Sequence, residues 1–439
     1  MSESNDNILK CICCKKSFDA CKVLFFALDE AKDIYICEHC VKSISSIIDS
    51  FNAEKNNTNS NTNTNTNTVS NLPDYHLVNP EIYKKYLDEY IISQDMAKKI
   101  FTVAIYNHLK RVTYNLNNSK KPFVLDKSNI LMIGPSGVGK TLMIETMCKK
   151  LNIPYSITDA TTLTEAGYVG ADVENVLKKL IQNANGDIKR AEFGVVFIDE
   201  IDKLGRKGEN PSITRDVGSE GVQQALLKMI DGTEIEVSMN ERRRNPLTEC
   251  VKINTKNILF ICSGAFEKID NIIKKRLYSK SKASILESSK NIKEIVFNDV
   301  INEITSEDLI KFGMLPELLG RLSTKCTFEQ LGVEDLIKIL TEPKNAIIKQ
   351  YIELFKMENN IEIEFEEDCL IEIANKAIES KTGARSLRSI LDSYMYEYMY
   401  SVPTHKDKIS KIIFTKESFL DKNKKPIFIY RKGVKDELY

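Results

Sequence analysis

A lysine and a threonine that follow closely spaced glycines have the clearest chemistry in this sequence. Residues 134–141 read Gly-Pro-Ser-Gly-Val-Gly-Lys-Thr. Glycines let successive N–H groups turn inward around an anion, and the start of a following helix adds partial positive charge. Lys140 would then contact the outer phosphates of a nucleoside triphosphate, and the Thr141 hydroxyl would bind Mg²⁺. The predicted ATP-binding residues of this loop are Gly134, Pro135, Ser136, Gly137, Val138, Gly139, Lys140, Thr141 and Leu142.

A pair of carboxylates supplies the second half of this chemistry. Asp199 and Glu200 follow directly on the apolar run 195–198, Val-Val-Phe-Ile. Asp199 would hold Mg²⁺ directly or through water, and Glu200 would polarise the attacking water. A solvated strand end is the alternative interpretation. The pairing with residues 134–141 favours a hydrolase over a nucleotide switch, which often lacks such a base.

Strands and helices alternate around both segments. Apolar runs at 130–133, 155–158, 195–198 and 257–261 predict strands, and long amphipathic helices are predicted over 333–358 and 367–400, followed by strands at 409–414 and 427–430. This order predicts an α/β fold, with a parallel-sheet P-loop domain followed by a small, mainly helical domain. Between two predicted helices, 79–90 and 95–111, Ile91 and Ile92 are placed to contact adenine, although an ordinary core role explains them equally well.

Cysteines near the start of the chain predict a metal site. Cys11 and Cys14 form one Cys-x-x-Cys pair and Cys37 and Cys40 a second, with 22 residues between the pairs. Two such turns complete a closed tetrahedral Zn²⁺ site, which is structural and not catalytic. Other nearby residues remain alternative ligands: Cys13, Cys21 and His39.

Composition narrows the function classes. The 62 basic and 62 acidic residues balance, so no global field favours nucleic acid or membrane. The chain has no apolar run of membrane-spanning length and no secretory signal, and its 11 cysteines favour reduced thiols and a cytoplasmic location. Residues 52–71 are nearly all Asn, Thr and Ser, which predicts a flexible linker.

The order of motifs resembles the ClpX family of AAA+ unfoldases. The resemblance rests on the four-Cys module, the P-loop and a series of further strings, at 106–108, 160–170, 197–203, 220–227, 308–313 and 381–385. It implies a homo-hexameric ring with ATP sites between subunits, protein substrates and adaptors, and a ClpP peptidase partner. The predicted division is a zinc module at 1–51, a linker at 52–78, a large ATPase domain at 79–320 and a small domain at 321–439.

The resemblance also assigns roles residue by residue. It implies that Arg321 enters the neighbouring subunit's site as an arginine finger and that Arg385 senses nucleotide from the small domain. Residues 165–170, Glu-Ala-Gly-Tyr-Val-Gly, place Tyr168 and Val169 in the pore loop that grips substrate polypeptide.

The chain departs from the family where the family's peptidase-docking tripeptide, Ile-Gly-Phe, is expected. Residues 278–286 instead read Tyr-Ser-Lys-Ser-Lys-Ala-Ser-Ile-Leu. The favoured interpretation is an ATP-dependent unfoldase that delivers substrates to ClpP. The alternatives are a remodelling chaperone without a peptidase, a zinc-ribbon nucleic-acid motor or clamp loader, and a non-hydrolysing binding module.

Overall fold

The computed structural model describes residues 25–29, 34–37, 40, 79–117, 125–164, 171–205, 217–239, 250–282, 297–380, 382–421 and 423–431. The chain divides into two compact units, residues 1–72 and 73–439.

The described residues fold into short strands and helices, numbered in chain order. The strands are β1 (Phe25–Asp29), β2 (Ile34–Cys37), β3 (Ile130–Ile133), β4 (Tyr155–Asp159), β5 (Leu163–Thr164), β6 (Ala171–Asp172), β7 (Val195–Asp199), β8 (Glu234–Ser238), β9 (Cys250–Asn254), β10 (Leu259–Gly264), β11 (Thr324–Thr327), β12 (Glu362–Phe365), β13 (Ile409–Phe414) and β14 (Ile427–Tyr430). The helices are α1 (Pro80–Asp88), α2 (Asp95–Asn117), α3 (Lys140–Leu151), α4 (Asn175–Asn183), α5 (Ile188–Ala191), α6 (Val217–Ile230), α7 (Ile269–Lys282), α8 (Phe297–Ile301), α9 (Ser306–Phe312), α10 (Pro316–Arg321), α11 (Val333–Thr341), α12 (Ile347–Met357), α13 (Glu367–Glu379), α14 (Arg385–Ser401) and α15 (Lys416–Leu420).

In the first unit, β1 and β2 form an antiparallel pair, with Phe25 opposite Cys37. The rest of the predicted zinc module lies almost entirely outside the described residues.

A five-stranded parallel sheet organises the first part of the second unit. Its strand order is β11-β3-β10-β7-β4. Strands β3 and β10 are buried along their whole length, because helices cover both faces of the sheet. This confirms the predicted α/β fold. It also brings the carboxyl ends of β3 and β7 to one edge, where the P-loop and the two carboxylates follow.

The smaller part has its own core. Helices α11 to α15 pack with a three-stranded sheet in which β12 and β13 are parallel and β14 is antiparallel to β13. The long amphipathic helices predicted over 333–358 and 367–400 are confirmed, and each range contains two of them. Pro343 follows the end of α11, and it lacks the N–H that a continuing helix needs. The turn between α13 and α14 contains Gly383 at φ +60°.

Several strands of the second unit were not predicted from the sequence: β5, β6, β8, β9, β11 and β12. Strands β8 and β9 form an antiparallel pair in which only Val237 and Ile253 are buried. Strand β12 is four residues long. None of the described helices has the length and apolar character that crossing a membrane requires.

Candidate nucleotide-binding and hydrolysis site

A cavity of about 490 Å³ lies where the carboxyl edge of the parallel sheet meets the small helical part. Most of the predicted ATP-binding residues line it, together with the carboxylate pair and one residue from α14. The lining residues are Ser136, Gly137, Val138, Gly139, Lys140, Thr141, Leu142, Asp199, Glu200, Asp202, Lys203, Ala265, Glu267, Ala384 and Arg385. The fold therefore brings together segments that are up to 249 positions apart in the sequence.

The loop between β3 and α3 has the backbone of an anion cradle. Gly137 and Gly139 adopt φ values of +78° and +96°, in the left-handed region that glycine enters without strain. Helix α3 begins at Lys140, and no side chain of the described residues caps its N-terminus. The free N–H groups of the first helical turn are therefore available to an anion, as phosphate binding requires.

The burial and the hydrogen bonds of Lys140 indicate whether the cavity suits a triphosphate. Its ammonium donates hydrogen bonds to the carbonyl oxygens of Gly134 (2.5 Å) and Pro135 (2.9 Å). Burial lowers the pKa of Lys140 to about 8, and the charge of Asp199 opposes that shift. Within the described part of the chain no carboxylate forms an ion pair with it. A buried cation without an anionic partner fits the phosphates of a nucleotide.

Thr141 and Asp199, the two predicted ligands of a magnesium ion, lie next to each other. The Thr141 hydroxyl lies 3.4 Å from Asp199 Oδ2, so one hydroxyl and one carboxylate face the same point. Oxygen ligands of this kind suit Mg²⁺, which usually keeps several waters and binds through one or two carboxylates plus substrate phosphates.

Glu200 is held in an uncommon backbone conformation. Its φ and ψ are +56° and +33°, in the left-handed region, and its N–H donates to Asp199 Oδ1 at 3.0 Å. A non-glycine residue there costs about 1–2 kcal/mol. The strained turn brings Glu200 to the cavity wall beside Asp199, which is the placement that a base for the attacking water needs.

The small helical part closes the cavity through an unusually close approach. A Cβ added to Gly383 would lie 2.8 Å from the Ser136 carbonyl oxygen, and one added to Gly137 would clash with Thr382 and Ala384. The two backbone segments can touch here because both Gly137 and Gly383 lack a side chain. Arg385, at the start of α14, reaches the cavity as a result.

The two isoleucines predicted to contact adenine lie beside the loop. Ile91 is buried, and its side chain packs 3.7 Å from the Cβ position of Gly139. Ile92 is partly exposed. The turn that carries them is fixed by Gln94, whose side chain both accepts from and donates to the backbone of Glu329. Contact with a base remains a prediction for both residues.

Arg321 does not join this cavity. Asn129, just before β3, donates to the Arg321 carbonyl oxygen at 3.0 Å, so Arg321 lies at the amino edge of the sheet. The four residues of β3 separate that edge from the phosphate loop by roughly 13 Å. The Arg321 side chain is 59% exposed and pairs with Asp231 at 2.6 Å.

Sequence reasoning gave no role to Asp202, which the structure places in the cavity wall. Asp202 is 7% exposed and accepts hydrogen bonds from the N–H groups of Ala265 (3.3 Å) and Phe266 (3.2 Å). Burial raises the pKa of this carboxyl, and those N–H groups oppose the shift. Asp202 is the last residue of the run Asp-Glu-Ile-Asp, and its closeness to Asp199 in the sequence could have indicated that it lies in the site. Ser263, in β10, is fully buried, and its hydroxyl has no hydrogen-bond partner among the described residues.

Several predicted residues cannot be placed. Tyr168 and Val169 of the pore loop, and Cys11 and Cys14 of the zinc site, lie outside the described residues. Cys37 is the last residue of β2, and Cys40 follows three positions later.

A parallel sheet of this order, with a phosphate loop after one strand and an Asp-Glu pair after another, defines a P-loop ATPase of the AAA+ class. Residues 125–325 match the family model of the AAA domain (Cdc48 subfamily), and residues 331–412 match that of the C-terminal, D2-small domain, of ClpB protein. Two curated relatives carry the description "ATP-dependent Clp protease ATP-binding subunit ClpX". The Treponema denticola protein is 45% identical over 394 residues, which cover 90% of each chain. The Borrelia duttonii protein is 45% identical over 404 residues, which cover 92% of this chain and 90% of the relative. This chain belongs to the ClpX family.

Proposed function

We propose that this protein is a ring-forming unfoldase that uses ATP hydrolysis to thread protein substrates, and that it delivers them to a ClpP peptidase. Membership of the ClpX family supports this directly, because its curated relatives are described as ATP-binding subunits of the Clp protease. The observation that carries the proposal is the division of the hydrolysis machinery between two edges of one sheet. Lys140, Asp199 and Glu200 occupy the carboxyl edge, and Arg321 occupies the amino edge.

The proposed site residues have separate tasks in hydrolysis. Lys140 binds the outer phosphates, Thr141 and Asp199 hold the magnesium ion, and Arg385 contacts the nucleotide from the small domain. Bound Mg²⁺ neutralises charge on the phosphates and orients them. Glu200 orients the attacking water and accepts its proton at the carboxylate oxygen. Ile91 and Ile92 provide apolar contact for the base.

The position of Arg321 supports a role in the site of a second subunit. An arginine stabilises charge on the transferring phosphoryl group when it reaches the γ-phosphate. Arg321 is separated from its own phosphate loop by the length of β3, and its side chain is largely exposed. In a head-to-tail ring the exposed arginine of one subunit meets the cavity of the next. Buried Arg111 and partly buried Lys127 lie nearby, and burial together with the charge of Arg111 lowers the pKa of Lys127 to about 7.

Mixed rings test this division. Rings of Glu200→Gln subunits and rings of Arg321→Ala subunits should each hydrolyse ATP slowly. In randomly mixed rings, about a quarter of the interfaces pair an intact Glu200 with an intact neighbouring Arg321, so ATPase activity should partly return. If the ATPase activity of mixed rings does not exceed the summed activities of the two variants, Arg321 does not act on a neighbouring subunit.

Coupling of hydrolysis to unfolding is proposed for Tyr168 and Val169. A large side chain in the pore grips the passing polypeptide, so Tyr168→Ala should consume ATP while a folded substrate stays folded. The direct assay is degradation of a tagged, stable protein with and without the peptidase from the same organism. Unfolding at the parent rate by Tyr168→Ala would remove that residue from the pore.

The altered docking segment decides between a peptidase partner and a remodelling chaperone. Helix α7 extends to Lys282 and so includes the first part of the segment, whereas Ile285 and Leu286 lie outside the described residues. In the family, each contact between a docking tripeptide and the peptidase is weak, and several contacts together bind through multivalency. Replacing Ile285 and Leu286 by serine should abolish degradation and leave ATPase activity intact. The absence of any complex between the parent protein and its peptidase would favour the chaperone.

The remaining parts complete the proposed machine. Residues 1–51 would bind structural Zn²⁺ through Cys11, Cys14, Cys37 and Cys40 and recruit substrates or adaptors. Residues 52–78 would link this module to the ring, and residues 79–320 and 321–439 would form the large and small ATPase domains. Reduced cysteines agree with a cytoplasmic location.

A further inference from the structure

One buried amide joins the nucleotide site to the helix that ends in Arg321. Gln223, in α6, is 1% exposed. Its Nε2 donates to the Leu204 carbonyl oxygen at 2.7 Å, and its Oε1 accepts from the Leu315 N–H at 2.9 Å. One planar group thus fixes two backbone segments that are 111 positions apart in the sequence.

The first of these segments directly follows Glu200 in the chain. Ile201–Leu204 forms a 3₁₀ turn immediately after Glu200. Within it, Asp202 accepts hydrogen bonds from the N–H groups of Ala265 and Phe266, and its carbonyl oxygen accepts from Gly205. Any displacement of Glu200 that tilts this turn must therefore displace the Leu204 carbonyl.

The second segment sets the place of Arg321. Leu315 precedes α10, which has six residues and ends at Arg321. Asp231, directly after α6, pairs with Arg321 at 2.6 Å. Helix α6 therefore holds α10 at both ends, through Gln223 at the start and Asp231 at the finish. A helix this short moves as one body, so a shift at Leu315 is carried to Arg321.

We propose that Gln223 is a positioning residue for hydrolysis, which transmits the position of the turn after Glu200 to Arg321. Because Arg321 is proposed to complete the neighbouring site, Gln223 links the nucleotide site of one subunit to that of the next. This inference rests on the proposed role of Arg321. The linkage consists of hydrogen bonds between rigid elements, and Gln223 itself does not line the cavity.

Substitutions at Gln223 test the linkage, with the adjacent glutamine as control. Gln223→Met keeps the size of the side chain and removes both hydrogen bonds. Gln223→Glu keeps the acceptor for Leu315 but sets a carboxylate oxygen against the Leu204 carbonyl. Both should lower kcat for ATP about tenfold and leave KM within about twofold, as expected when a transition-state contact is lost. Gln224 is exposed on the same helix, so Gln224→Met and Gln224→Glu should behave as the parent.

A double-mutant cycle separates positioning from a merely structural role. If Gln223 acts through Arg321, adding Gln223→Met to Arg321→Ala should lower kcat no further. The proposal would be overturned if the two substitutions lowered kcat independently and additively. It would also be overturned if KM and kcat changed equally and the unfolding midpoint fell. Full activity of Arg321→Ala alone would instead refute the proposed arginine finger.

A second variant tests the same bond from the other side. Leu315 has φ −68°, which proline adopts, so Leu315→Pro removes the N–H that donates to Gln223 and keeps φ at this position. Leu315→Pro should lower kcat as much as Gln223→Met does. The double variant should have the same kcat as either single variant. Parent activity in Leu315→Pro would show that the bond to α10 does not carry the effect, even if the Gln223 variants fail to fold.

Discussion

Replacing Gly383 by alanine should open the nucleotide cavity by a known amount. A methyl group at this position would lie 2.8 Å from the Ser136 carbonyl oxygen, whereas ordinary contact begins at 3.4 Å. The small-domain turn and the P-loop must therefore separate by about 0.6 Å. Arg385 follows two positions later and moves with this turn.

The expected loss has two parts. Alanine at φ +60° costs about 1–2 kcal/mol of stability, since the left-handed region is strained for any L side chain. The separation adds a loss of function. A misplacement of about 1 Å can cost roughly a hundredfold in rate, so about half of that displacement should lower kcat/KM for ATP about tenfold, or ~1.4 kcal/mol.

Gly186→Ala provides the matched control. Gly186 has a similar φ, +81°, but no atom of the described residues lies within 4 Å of its Cβ position. Both variants should lose similar stability in thermal unfolding, and Gly383→Ala alone should lose ATPase activity. Titration with a fluorescent ATP analogue in a Glu200→Gln background separates binding from turnover. Equal nucleotide affinity and equal turnover in the two variants would refute the assigned contact between Gly383 and the P-loop.

Further outcomes follow from the same site and its surroundings. Glu200→Gln should bind ATP as the parent does while turnover falls at least a hundredfold, whereas Lys140→Ala should weaken binding itself; isothermal titration and steady-state assays distinguish the two. Burial lowers the pKa of His108 to about 3, so only the unfolded chain takes up that proton below about pH 6.5. The stabilising contribution of neutral His108 should therefore fall by about 2 kcal/mol from pH 7 to pH 5, and the loss of stability over this range should be smaller in His108→Gln, as urea unfolding at both pH values will measure. Purified protein should contain about one zinc per chain, and chelation should unfold residues 11–50 without stopping the ATPase; metal content below half an equivalent would contradict the four-cysteine site.

The local chemistry of hydrolysis could be predicted from the sequence because it is written in consecutive residues. The glycines before Lys140 fix a loop through their own backbone freedom, and an apolar run before Asp199 fixes a buried strand. Parallel strands then bring their carboxyl ends to one edge, so Lys140 and Asp199 had to meet. Family resemblance supplied Arg321, Arg385 and Tyr168, none of which composition or spacing would have identified.

Tertiary structure alone decided which distant segments touch. The sequence marks Gln223 as one of two adjacent glutamines, and only burial between Leu204 and Leu315 distinguishes it from Gln224. In the same way, nothing local shows that Gly383 lies against Ser136 or that Arg321 lies at the amino edge of the sheet. A hydrogen bond or a close contact depends on the positions of both partners, and those positions are set by packing of the whole domain.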